Sequence, residues 1–210
     1  LQMDPNNIKA YNNLGIINEH QKKYETAISY YKKALLVDPI SSEVFANLGN
    51  SYLRSGNLDD AIASYKKSIE INANNSSTFN NLATSFKKKG LFKKALIEYK
   101  HALNLNPRSI NANFNIAILL AELDDLDSAV SFYKACLQLN PKHVEAYTNL
   151  GIIYQDQGSH ELAIENYQNA LKIEPQNSKT RWNLAIAQLL GGNYIEGWKN
   201  YDWRLNVMQL

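Results

Sequence analysis

With 210 residues, 45% of them hydrophobic, the chain has enough apolar content for a substantial core and falls in the ordinary globular range, at a length suited to one or two domains. Its 22 basic and 20 acidic residues leave a net charge of +2, which gives no broad electrostatic reason to expect nucleic acid or an anionic membrane as the partner. Cys136 is the only cysteine, so there is no intramolecular disulfide and no cysteine cluster for zinc or an iron–sulfur centre, and a reducing, cytoplasmic compartment fits best. No stretch approaches the roughly 18–20 apolar residues that span a bilayer, and Leu1-Gln2-Met3-Asp4-Pro5 lacks the layout of a signal peptide.

Taken in chain order, the sequence repeats itself at an offset of 34 residues. Tyr31, Tyr65, Tyr99, Tyr133, Tyr167 and Tyr201 form one column, and Ala27, Ala61, Ala95, Ala129 and Ala163 form another, with Gly197 in the sixth place. Asn13, Asn47, Asn81, Asn115, Asn149 and Asn183 form a third. Leu1, Met3 and Pro5 occupy the columns of Leu35, Val37 and Pro39, so residues 1–7 read as the end of a preceding repeat. Six units follow, at 8–41, 42–75, 76–109, 110–143, 144–177 and a divergent 178–210, which together are expected to make one solenoid domain.

Each unit predicts a helical hairpin. In the second, Phe45, Leu48, Gly49 and Tyr52 make one apolar stripe at helical spacing, and Leu58, Ala61, Ile62, Tyr65 and Ile69 make the next. Gly56, Gly90, Gly158 and Gly192 stand where the first helix must stop in a left-handed cap. Lys22 and Asp124 replace glycine there, which predicts strained or differently shaped turns. Pro39, Pro107, Pro141 and Pro175 end second helices, and Asn7, Ser41, Asn75, Ser109 and Asn177 are placed as N-caps. The tyrosine column is expected to fill space between neighbouring units, which must stack to bury their faces.

Tyr11, Leu14, Gly15, Ala27, Tyr31 and Pro39 carry the spacing of the tetratricopeptide signature, and the pattern recurs in register through the chain. The sequence therefore resembles the tetratricopeptide family. That resemblance implies an all-α fold, a right-handed superhelical α-solenoid whose first helices line a concave groove that holds a protein or extended peptide. Carried over, the groove columns are the second, fifth, sixth, ninth, twelfth and thirteenth positions of each unit. They include the asparagine column together with Asn12, Asn50, Asn80, Phe114 and Trp182.

A carboxamide offers one donor and one acceptor to a peptide unit whatever the side chains are. With helices packing roughly 8–10 Å apart and an extended chain advancing about 3.3 Å per residue, one Asn per repeat meets about every third residue of a bound peptide. The column is similar to the asparagine ladder of protein O-linked N-acetylglucosamine transferases. A purely structural reading stands beside it, in which the asparagines satisfy groups between adjacent first helices. Phe114 and Trp182 read either as aromatic anchors or as core aromatics slipped by one residue, because Asn113 and Arg181 hold their usual column. The family's carboxylate clamp is not evident, since Asn12, Ser77 and Asn81 stand where it needs cations.

Other features suggest no chemistry. His20, His101, His143 and His160 lack metal-ligand spacing and are expected to be solvated, so no metal and no cofactor is implied. The run from Lys87 to Lys94 reads as a solvated edge, the Lys32, Lys66, Lys100 and Lys134 column as solubilising, and Cys136 as buried packing. Without a phosphate loop, nucleophile elbow or acid–base pair, the segment is expected not to be an enzyme. The run from Gly192 to Arg204, with Trp198 and Trp203, resembles the last repeat of bacterial proteins in which such an array precedes a glycosyltransferase-like domain. Two functions follow from these likenesses: a free-standing interaction scaffold, or an acceptor-recruiting arm for a catalytic domain beyond Leu210. Homo-oligomerisation is compatible with both.

Overall fold

The computed structural model describes residues 7–202, and among them it contains twelve α-helices and no strand. The expected ends of the pattern, Leu1, Met3 and Pro5 before and Trp203 and Arg204 after, lie outside the described residues. The chain packs as two compact units, Leu1–Ala112 and Asn113–Leu210.

The first unit holds α1 (Ile8–His20), α2 (Tyr24–Val37), α3 (Ser42–Ser55), α4 (Leu58–Ile71), α5 (Ser76–Lys88) and α6 (Phe92–Leu105). Helix α7 (Ile110–Glu122) starts in the first unit and continues in the second. The second unit then has α8 (Leu126–Leu139), α9 (Val144–Asp156), α10 (His160–Ile173), α11 (Ser178–Leu190) and α12 (Tyr194–Tyr201). Helices α1, α3, α5, α9 and α11 each pair with the helix that follows, and α2, α4, α8 and α10 pack on the first helix of the next hairpin, the all-α solenoid arrangement that the repeat predicts.

Local chemistry sets the helix ends. Oδ1 of Asn7, Asn75 and Asn177 accepts the N–H of Ala10, of Ser77 and Thr78, and of Thr180, and Oγ of Ser109 accepts that of Ala112. Ser41 occupies the cap position of α3 without a side-chain bond. The turn inside each hairpin has one shape throughout. Gly56 (φ 88°) is followed by an Asn57 N–H that bonds back to Tyr52 O, and Lys22 (φ 59°) and Asp124 (φ 64°) are followed by the same bond, Lys23 to Asn18 and Asp125 to Leu120. The two non-glycine turns are thus strained at one residue each but not differently shaped.

Stacking makes the core. Ala27, Ile28, Tyr31 and Ala34 of α2 bury together with Val44 and Leu48 of α3, and Tyr11, Phe45 and Tyr52 cover that cluster. In the second unit Ala163 and Tyr167 of α10 bury with Leu184 and Ala187 of α11. Tyr31 and Tyr167 pack against the first helix of the following hairpin, as the column predicts, and the rings of Tyr31, Tyr65 and Tyr167 also fill the interior of their own hairpins. A Cβ built on Gly15 would lie 2.3 Å from the Tyr31 ring, on Gly49 2.7 Å from Tyr65, and on Gly151 2.4 Å from Tyr167. Only hydrogen at those three positions lets the first helix approach its ring so closely.

Candidate functional site

The first helices of each unit carry the asparagine column, half-buried at Asn47, Asn81, Asn115, Asn149 and Asn183 and exposed at Asn13. In the first unit the carboxamides join adjacent first helices. Nδ2 of Asn47 on α3 donates to Oδ1 of Asn12 on α1 at 3.0 Å, and Nδ2 of Asn12 donates onward to Oε1 of Glu43 at 2.9 Å. One repeat later, Nδ2 of Asn81 on α5 donates to Oδ1 of Asn50 on α3 at 2.9 Å. The same Asn50 oxygen accepts the Tyr65 hydroxyl at 2.8 Å. Asn80 donates to Oδ1 of Asn81 at 3.2 Å, and the hydroxyls of Thr84 and Tyr99 bond at 3.0 Å.

In the second unit Nδ2 of Asn149 on α9 donates to the Tyr133 hydroxyl on α8 at 3.0 Å. The donors of Asn47, Asn81 and Asn149 are therefore engaged within the protein. Oδ1 of Asn47 and of Asn149 accepts no protein hydrogen bond among the described residues and is not sealed from solvent. The structural and ligand-facing readings of the column are thus compatible in one side chain: the amide end fixes the group and the carbonyl end stays open.

Phe114 is half-buried on α7, 4.5 Å from the His143 ring and 5.8 Å from Tyr133. Trp182 on α11 is half-buried, and its Nε1 is buried without a hydrogen-bond partner among the described residues. Asn113 is buried, and Arg181 bonds Asn200 and the carbonyl of Pro175.

Two features of this face were not signalled by the repeat. Glu19 is a hub in the first unit, where its Oε2 accepts the hydroxyls of Ser51 at 3.1 Å and Tyr31 at 3.4 Å and its Oε1 pairs with Arg54 Nε at 3.1 Å. In the second unit Ile118, Leu126, Ile152 and Ile153 line an open cleft of about 370 Å³, with Asn149 and Tyr133 in its wall and Glu122 and Asp156 also lining it. Each depends on residues from successive helices meeting in space, so a column-by-column reading passes over it.

Family models described as tetratricopeptide repeat match residues 6–74, 76–109, 110–143 and 144–177. The chain belongs to the tetratricopeptide repeat family. Among solved structures it is similar to PilF of Pseudomonas aeruginosa, with a TM-score of 0.84 at 17% identity over 96% of this chain and 90% of that one, a likeness of fold. It is also similar to YrrB, a tetratricopeptide protein with an unusual peptide-binding site, at 26% identity and a TM-score of 0.66 over 85% of this chain and 92% of that one. MamA resembles it at 24% identity and a TM-score of 0.71 over 79% and 97%. No curated protein matches the sequence.

Several side chains of this tetratricopeptide array have roles other than those expected. Nδ1 of His143 caps α9 by accepting the Ala146 N–H at 3.3 Å, and its ring stacks on Phe114, so this histidine is not simply solvated. The same nitrogen lies 3.3 Å from Glu145 Oε2, but it forms an ion pair there only when protonated, which removes the cap. Lys32 lies 5.8 Å over the Tyr52 ring and Lys66 6.0 Å over Phe86, so these two lysines of the column also cover aromatics of the following first helix. Lys89, inside the basic run, pairs with Asp59. Cys136 is fully buried and its thiol is pushed up to about 11, chiefly by burial, which disfavours the nucleophilic thiolate. Among the described residues no group of three His, Cys, Asp or Glu is placed to hold a metal ion, and no helix is long and apolar enough to cross a membrane.

The buried tyrosines give the array a pH limit. Burial raises the hydroxyls of Tyr31, Tyr65 and Tyr167 well above the usual phenol range, with the Glu19 charge adding to the shift at Tyr31 and Tyr65 and that of Asp156 at Tyr167. Tyr133 is pushed up to about 12 by burial, against the opposing bond from Asn149. A raised folded-state value means that this stability is complete below pH 10.0, the ordinary tyrosine value, and is lost as pH rises through the folded value. In an alkaline titration, phenolate absorbance from these four residues is expected to appear together with loss of helical circular dichroism. Phenolate formation with helicity intact would show that the rings are accessible.

Proposed function

We propose that this chain is a protein-interaction module that holds a polypeptide in extended form against its first helices through the asparagine column. What supports the reading most is the half-engaged carboxamide: Asn47 and Asn149 are fixed through Nδ2 and present Oδ1 without a protein partner. An acceptor so fixed meets a backbone N–H with little further loss of side-chain freedom, and it does so whatever residue the peptide carries. YrrB, with its peptide-binding site on the same fold, lends the reading support by analogy. The alternative, an acceptor-recruiting arm for a glycosyltransferase, rests on the sequence resemblance alone.

The test uses a phage-displayed library of random dodecapeptides and a variant with Asn47, Asn81, Asn115 and Asn149 all changed to Ala. At about 1 kcal/mol per hydrogen bond lost, affinity for selected peptides is expected to fall by about two orders of magnitude or more. Because the donors also join helices, the melting temperature falls as well. Unchanged affinity alongside reduced stability would assign the column to structure only.

A further inference from the structure

The last repeat carries an apolar surface that the groove reading leaves unused. Tyr194, Ile195 and Trp198 of α12 are 63%, 83% and 60% exposed, and Leu190 at the end of α11 is 59% exposed. Tyr194 and Trp198 lie four residues apart on one helix face, and Trp198 meets the Tyr201 ring edge-on with 5.4 Å between centroids. The equivalents of Leu190 and Tyr194 in the fourth repeat, Glu122 and Leu126, line one cleft, so the two positions border a single surface.

Two kinds of position meet here. Tyr194 and Trp198 repeat the columns of Leu58 with Ile62 and of His160 with Ile164, which are half-buried where the next first helix packs, α5 on α4 and α11 on α10. That stripe is therefore shaped for a helix. Leu190 and Ile195 are different. In every preceding repeat the Ile195 column is charged and the Leu190 column is charged or histidine. Arg54 and Asp59, and likewise Asp156 and Glu161, stay exposed although the next hairpin is in place. Further stacking of the same kind would give no reason for leucine and isoleucine at these two positions, whereas a wider apolar contact does.

Helix α12 contains one acid and one base, Glu196 and Lys199, paired with each other at 3.5 Å, so two copies of this face bring no net charge together. At roughly 200 Å² for a large side chain, the four exposures leave on the order of 500 Å² per copy, and a symmetric pair covers about 1,000 Å², the lower bound for a specific interface. We propose that α12 pairs antiparallel with α12 of a second copy across a two-fold axis, with Leu190, Tyr194, Ile195 and Trp198 as the apolar contact. A two-fold arrangement is closed and gives the patch its own complement on the other copy. The pairing is independent of the asparagine column.

Sedimentation equilibrium of the full chain from about 1 µM to about 1 mM is expected to show a monomer–dimer equilibrium with a dissociation constant on the order of 10–100 µM, as suits an interface of this size. The variant Leu190→Arg/Ile195→Glu restores the residue types that Arg54 and Glu25 supply at these columns. It should weaken the dimer at least about a hundredfold, because each pair loses four apolar side chains from its contact. Its melting temperature at about 1 µM should stay within about 3 °C of that of the unaltered chain, since both side chains are exposed. A monomer at every concentration would overturn the proposal and leave the surface to a different protein. A dimer that the variant leaves equally tight would overturn it too, as would species that keep growing beyond the dimer, which belong to end-to-end assembly.

Discussion

Replacing Tyr65 by alanine is expected to remove about 3–5 kcal/mol of stability from the first unit, the range for truncating a large buried aromatic. The ring is fully buried and lies against Gly49, which has no side chain to move into the space it leaves. Its hydroxyl also donates to Asn50 Oδ1, which fixes the acceptor that receives Asn81 from the following first helix. Tyr65→Phe separates the two contributions. It keeps the ring and removes one hydrogen bond, for about 1 kcal/mol. Chemical denaturation gives the two losses, and hydrogen exchange should show lost protection concentrated in α3 to α5. Equal losses for the two substitutions would mean that the hydroxyl, and not the ring, carries the stabilisation.

Gly151→Leu is expected to be destabilising by about 3 kcal/mol, at the upper end for overpacking a closed core. A Cβ at this position would already stand 2.4 Å from one Tyr167 ring carbon and 2.7 Å from a second, and the ring is fully buried. Helices α9 and α10 must separate to admit it. The same column holds fully buried Ala83, Ala117 and Ala185 in other repeats, so a hairpin can be spaced for one methyl group, and Gly151→Ala should cost much less than Gly151→Leu. A second substitution tests the cause. If the clash is with the ring, Tyr167→Ala in the Gly151→Leu background should relieve it, leaving the double variant less damaged than the two single losses added together. Strict additivity would place the damage elsewhere.

Much of the fold was legible because the physical causes are local and repeat. A glycine stop after four of the six first helices, apolar stripes at helical spacing and a 34-residue period define hairpins that must stack, since no single hairpin buries its own faces. The same logic placed Cys136 in the core and Asn7, Asn75, Ser109 and Asn177 at helix starts. The cap made by His143 was missed because histidine is not among the usual N-cap residues, and only the placement of its ring makes Nδ1 an acceptor.

The candidate site was legible as columns but not as bonds. Asn47 and Asn81 hold the same repeat position, yet one donates 35 residues back to Asn12 and the other 31 residues back to Asn50. Asn149, also in that column, turns instead to the Tyr133 hydroxyl. Which partner wins depends on the residues at neighbouring positions and on the spacing of the helices, quantities that a period does not contain. The Glu19 hub and the acid-lined cleft arise in the same way, from side chains distant in sequence that packing brings to one surface.

By itself, then, the sequence determined that the chain is an all-α array of tetratricopeptide hairpins, because turn chemistry and apolar spacing act over a few residues and recur six times. The tertiary structure alone decided that the rings of Tyr31, Tyr65 and Tyr167 lie against Gly15, Gly49 and Gly151 of their own hairpins, and that asparagine donors are held while some of their acceptors stay open. It also decided that branched aliphatics and carboxylates of the second unit line one cleft. These are matters of ångström-scale distance between helices, and only the packed backbone fixes those distances.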